Sequence, residues 1–137
     1  MSVAYNKFNQ TSADFAHAVH SLTTSANVKF MLTNTIPTAT MATSTEIMQI
    51  SSGNGYSGGV LGGIAATITS AIQSSGVFAL QANSAVLTAS GGDIGPFRYS
   101  VMYNAGSTVI TTGPLFGWFD YGAAITLHDT DTFTISS

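Results

Sequence analysis

The sequence contains no cysteine, which excludes a disulfide framework, a thiolate metal site and a cysteine nucleophile. Charge is nearly as scarce. Asp, Glu, Lys and Arg make up 7% of 137 residues, where a typical domain carries about 25%. The nine are Lys7, Lys29, Arg98, Asp14, Glu46, Asp93, Asp120, Asp129 and Asp131. Three cations cannot build a nucleic-acid-binding stripe, whose affinity grows with the phosphates neutralised. A net charge of −3 is too small for an acidic tail or a strong electrostatic partner. No apolar run approaches the roughly 18 residues of a membrane span; the best, Gly59 to Ile68, is broken by Gly62 and Gly63. The start, MSVAYNKFNQ, lacks the charged and apolar segments of a secretory signal, so synthesis and assembly in the cytoplasm are expected.

What is present is apolar and hydroxylic. Hydrophobic residues are 45%, Ser and Thr together number 36, and Gly 14. Disorder, which needs low hydrophobicity and high net charge, does not fit. A mass of 14.1 kDa implies one domain, residues 1–137, with 1–24 as an N-terminal arm and helix and 25–137 as the body. A chain this size buries roughly two thirds of its extended surface, enough for one core. The remaining surface has few charges to keep molecules apart. A Ser/Thr-coated monomer is one reading; a subunit whose outer faces are covered by neighbours is the favoured one.

Phe8, Phe15, Val19 and Leu22 form one stripe at helical spacing, and His20 near its end suits the negative pole of a helix. After Thr23-Thr24-Ser25 the period becomes two: Val28, Phe30 and Leu32 alternate with Lys29, Met31 and Thr33, as in a half-buried strand. A long loop, TNTIPTATMATST, follows; Pro37 excludes a helix or central strand there, and Ile36 and Met41 are expected to be exposed. Glu46 to Ile50 reads as a short strand, and residues 51 to 59, rich in Gly, must turn or bulge. Residues 60 to 70 are β-rich but small. Val77 to Gln81 and Ala85 to Thr88 read as strands. Phe97 to Tyr103 is the clearest strand, with Phe97, Tyr99, Val101 and Tyr103 expected on one face. In Leu115 to Tyr121, Leu115, Phe119 and Tyr121 are expected opposite Phe116 and Trp118, and Gly117 suggests a bulge or a close neighbour. Ala123 to Leu127 and Thr132 to Ser136, joined by His128-Asp129-Thr130-Asp131, read as a terminal hairpin. One helix and about eight short strands indicate a mainly β fold: a single β-sandwich or jelly-roll-like domain.

Catalytic patterns are absent. Asp14, His17 and His20 could share a metal, but a solvated helix face is the favoured reading. Asp129 and Asp131 lack the Gly and terminal Glu of a calcium loop. There is no G-x-S-x-G elbow and no phosphate-binding lysine after the glycines. Asp93 and Asp120 as a glycosidase pair and Tyr56, Tyr99, Tyr103 or Trp118 as sugar platforms are weaker than core roles. Arg98, between Phe97 and Tyr99, is expected to pair with Asp120 across the sheet as a structural contact. No catalytic residue, metal or cofactor is assigned.

The ordered elements YNKFNQ, VKFMLTNTIPTAT, TEIMQISSGNGYSGG, GGDIGPFRYSVMYN and PLFGWFDYGAAITLHDTDTFTI resemble, over nearly the whole chain, a family of small virion structural proteins of tailed bacteriophages, usually assigned as head decoration (cement) proteins. The Asp129-Thr130-Asp131 turn departs from that family's Asp-Gly turn, and residues 60 to 90 are richer in Ser, Thr and Ala. The resemblance implies a protein on the capsid surface that staples the major capsid protein by area burial, as a homotrimer at threefold positions, with neither nucleic acid nor membrane as partner. Candidate interface residues are Tyr5, Phe8, Ile36, Pro37, Met41 and Tyr56; the N-terminal segment and the 34–45 loop are the candidates for reaching neighbours, because they hold apolar residues (Tyr5, Ile36, Met41) outside any obvious core element. Another virion part, such as a tail-tube, neck or fibre subunit, is the alternative; the Gly/Ser-broken middle third offers no convincing hairpin arm of the kind tube subunits show. A carbohydrate-binding adhesin module is a further alternative.

Overall fold

A computed structural model describes residues 5–20, 27–59 and 61–135; Leu22, Val60 and Ser136 lie outside them. Its elements in chain order are β1 (Tyr5–Lys7), α1 (Gln10–Ala16), β2 (Val28–Thr33), a 3-10 turn (Ser44–Glu46), β3 (Ile64–Ala66), β4 (Ile68–Ser74), β5 (Val77–Ala82), β6 (Ala85–Thr88), β7 (Ile94–Asn104), β8 (Leu115–Leu127) and β9 (Thr132–Ile135). An antiparallel sheet in the order β1-β8-β7-β2-β3 forms the body, with two separate two-stranded sheets, β4-β5 and β6-β9.

The central strand β2 alternates as its sequence demands, but both of its faces are covered, so it is buried throughout except for half-buried Lys29. On one face Phe30 and Leu32 join Phe97, Ile94, Leu127 and Tyr56 beneath the β6-β9 ribbon, which adds Ala85, Leu87 and Ile135. On the other, Met31 meets Val101, Tyr103, Leu115, Phe8 and Ile47. A sheet with a core on each face gives the sandwich-like layering.

Bulges reassign several side chains. The β7-β8 register shifts between Phe97 and Tyr99, where Phe97 faces Ile125 and Tyr99 faces Asp120. An irregularity of this kind breaks strict alternation. Phe97 therefore lies in the cluster under β6-β9, while Val101 and Tyr103 lie across the sheet. A second shift skips Phe116, between Met102–Gly117 and Tyr103–Leu115. Trp118 consequently packs with Leu115, whereas Phe119 packs on the opposite cluster. Gly117 has a close neighbour: a Cβ there would collide with the Tyr5 ring and the Asn6 carbonyl.

Four other expectations are corrected. The helix spans only seven residues and ends at His17, with Ala18 at φ 58°, because its docked face consists of Thr11 and Asp14 rather than the apolar stripe. Phe15 is 45% exposed. Glu46 to Ile50 is not a strand: Thr43 to Glu46 make a capping box that starts a 3-10 turn, leaving one bridge, Thr33 to Gln49. Ala123 to Leu127 continues β8, and β9 pairs with β6 instead. β7 holds one edge of β8 as far as Ile94–Leu127, and the chain after His128 crosses to the second layer. Finally, the middle third does form a hairpin, β4-β5.

Candidate interaction surface

The N-terminal segment is part of the body. β1 pairs with β8 from Tyr5–Phe119 to Lys7–Gly117. Phe8 is 0% exposed, its ring 4.6 Å from that of Trp118. Thr11 donates its hydroxyl to the carbonyls of Leu115 and Phe116, both at 3.0 Å. Phe8 is thus a core residue and no candidate for reaching a neighbour; residues 5–20 are tied down by their own sheet.

Tyr56 is corrected in the same way. Gly53 to Tyr56 close a turn through Gly53 N–H to Tyr56 O (2.9 Å) and its reciprocal (3.1 Å). Asn54 (φ 56°) and Gly55 (φ 106°) take the left-handed conformations such a turn requires. The turn aims the Tyr56 ring into the core, where its hydroxyl accepts the Leu32 N–H (3.0 Å) and donates to Gln49 Oε1 (2.7 Å). Burial pushes this phenol up to about 12. Pro37 is buried and Met41 is half-buried against the Phe8 cluster. Of the six candidates, only Tyr5 (49%) and Ile36 (68%) are exposed. Tyr99 and Tyr103 are buried as well, so with Tyr56 they cannot serve as sugar-stacking platforms; Trp118 is half-buried.

The structure brings Arg98 and Asp120 together in a two-pronged contact, Nε to Oδ1 at 2.9 Å and Nη2 to Oδ2 at 3.2 Å. The Arg98 hydrogen bond, helped by the Gly122 N–H, holds the Asp120 carboxyl below its usual range. The pair is well solvated, and its chemistry is that of a surface clasp between β7 and β8.

Asp14, His17 and His20 do not converge. His17 points to solvent, while Asp14 and His20 are buried rather than on a solvated helix face. The His20 ring stacks on Phe116 at 4.1 Å, and its Nδ1 meets Asn104 Nδ2 at 3.2 Å. Its Nε2 lies 3.9 Å from Asp14 Oδ2. Burial lowers the imidazole's proton affinity, and the Asp14 charge partly opposes this. No group of three or more metal-ligating side chains occurs among the described residues.

The exposed apolar side chains are mostly ones that sequence reading passed over: Met48 (80%), Val77 (66%), Ile72 (61%), Val109 (59%) and Val86 (54%). Val77 opened an expected strand and Ile72 lay outside any; the missing information was that both stay exposed in the β4-β5 hairpin. Met48 lies near Ile36, since its N–H donates to Thr35 Oγ1. Beside it runs an open groove of about 460 Å³ lined by Ser44, Ile47, Gln49 and Ser52. Comparison with protein-family models, curated proteins and solved structures finds no match to this chain.

Proposed function

We propose that this protein is a virion structural component of a tailed bacteriophage, a cement protein that decorates the assembled capsid and staples the major capsid protein by surface burial. The observation that carries this reading is a sequence with only 7% charged residues paired with large apolar side chains left exposed, Ile36, Met48, Ile72, Val77, Val86 and Val109. Such surfaces pack closely, bind with little salt dependence and gain avidity when repeated by symmetry. Homotrimers at threefold lattice positions are the expected arrangement. Purified protein added to expanded, undecorated shells should co-sediment in a ratio commensurate with the lattice and raise their melting temperature. Shells that neither bind it nor change in melting temperature would refute the cement role.

One observation favours the second reading, a tail-tube, neck or fibre subunit. The β4-β5 hairpin forms a two-stranded sheet of its own, and a long hairpin arm is the feature expected of ring-forming tube subunits. Electron cryomicroscopy of virions separates the two: density on the head supports the first, and rings or a tail-end complex the second.

A further inference from the structure

We infer that the β4-β5 hairpin is an arm whose docking partner is a second copy of this chain. Among the described residues β4 and β5 pair with each other and with no other strand, so each presents an open edge to them. A two-stranded ribbon alone in water is marginally stable at best. Among the hairpin residues whose side chains are described, only Ile68, at its base, is buried. Ile72 stands opposite Ala79 and Ser74 opposite Val77, which places Ile72, Val77 and Ala79 on one face. Ile72 is 61% and Val77 66% exposed.

Proteins guard open edges with Lys, Pro, inward-pointing charge or bulges. Neither strand here carries a charge or a proline. The one register irregularity lies at the base, between Ile68 and Ser70, and Ala71 to Ser74 pair regularly beyond it. The edge is therefore a template for adding a strand.

Charge selects the occupant. From Ile47 to Gly92, 46 consecutive residues contain no Asp, Glu, Lys, Arg or His. When two copies meet through the same segment, every charge would face its like or lose its water, and this segment has none to lose. A foreign partner of ordinary composition, about 25% charged, would bury ions against it without counter-charges. Antiparallel pairing of identical edges is self-complementary and closes a twofold contact; an arm laid on a neighbour's other open edge makes a head-to-tail contact, which gives a ring where the rotation closes. This contact specifies the self-association within the proposed function, yet it stands on the hairpin alone and is tested without any particle.

The test is sedimentation velocity of the full chain from about 1 μM to about 1 mM, the span of ordinary interface affinities. Ile72→Lys with Val77→Lys is compared with Thr108→Lys with Thr126→Lys, which adds the same charge at exposed positions off the hairpin. Wild type and the Thr108/Thr126 variant should form the same oligomer. The Ile72/Val77 variant should dissociate at least tenfold more readily, with an unchanged far-ultraviolet spectrum. A wild type that stays monomeric throughout, or an Ile72/Val77 variant that keeps the wild-type assembly, overturns the inference. Should the lysines unfold the chain, Ile72→Thr with Val77→Thr, which retains strand propensity, is read by the same criterion. Failure here leaves shell binding to be judged by its own assay.

Discussion

Tyr56→Phe removes a single oxygen from a site where the sheet depends on it. β3 pairs with β2 only from Val28–Ala66 to Phe30–Ile64, so the N–H of buried Leu32 lies beyond its reach. The Tyr56 hydroxyl takes that N–H at 3.0 Å and passes its own proton to Gln49 at 2.7 Å. In the Phe variant the ring still fills its space, while a buried N–H loses its acceptor, a cost of about 1–3 kcal/mol. At the specific unfolding entropy of globular proteins this corresponds to a fall in Tm of roughly 3–10 °C for a domain of this length. Alkaline pH supplies a second readout. The Tyr56 phenol is raised from 10.0 to about 12 in the folded chain, so the unfolded state ionises first. Stability is full below pH 10, declines as the pH climbs, and is lost through about 12. Urea unfolding followed by circular dichroism at pH 7 and between pH 9 and 12 tests both effects. The variant should be weaker at pH 7 and should lose less than wild type on alkalinisation. A Tyr56→Phe chain within about 0.5 kcal/mol of wild type, below the cost of an orphaned buried N–H, and with the same alkaline slope, would refute this role for the hydroxyl.

Phe8→Ala empties a fully buried site and should cost about 3–5 kcal/mol. The single tryptophan, Trp118, lies against that ring, so its emission should also shift to the red; unaltered stability and emission would return Phe8 to the list of surface residues. Asp120→Asn should lower Tm near neutral pH. Because Arg98 and the Gly122 N–H depress the Asp120 carboxyl, its contribution is present above the usual carboxylate range and vanishes as the pH falls through its folded pKa. The two melting curves should converge in acid. Gly117→Ala places a methyl against the Tyr5 ring and the Asn6 carbonyl, so β1 should separate from β8. Faster amide exchange at residues 5–7, at a total cost of about 1–3 kcal/mol as for overpacking, is the expected result.

Local pattern made much of the body legible. Alternation in VKFMLT and in Phe97 to Tyr103 marks two strands that the structure contains, the second extended to Ile94–Asn104, and Ala85–Thr88 appears with its expected bounds. Arg98 and Asp120 could be related because each sat at a fixed place on a recognisable aromatic strand. Burial was less legible. Tyr56 and Pro37 occupy loops, and a loop residue's depth depends on which layer the loop is folded against. Phe8 shares a stripe with Phe15 in the sequence, yet Phe8 is enclosed and Phe15 stands 45% exposed, since the chain leaves the helix after seven residues.

From sequence alone came the β-rich class, the near-absence of charge and the position of most strands, because each follows from composition or from spacing within a few residues. Tertiary structure alone decided that β9 crosses to β6, that bulges at Phe97 and Phe116 exchange the faces of aromatic side chains, and that the β4-β5 hairpin leaves Ile72 and Val77 exposed. Those outcomes turn on which distant strand satisfies a given row of N–H and C=O groups, a competition among segments far apart in the chain. No periodicity within one segment records its result.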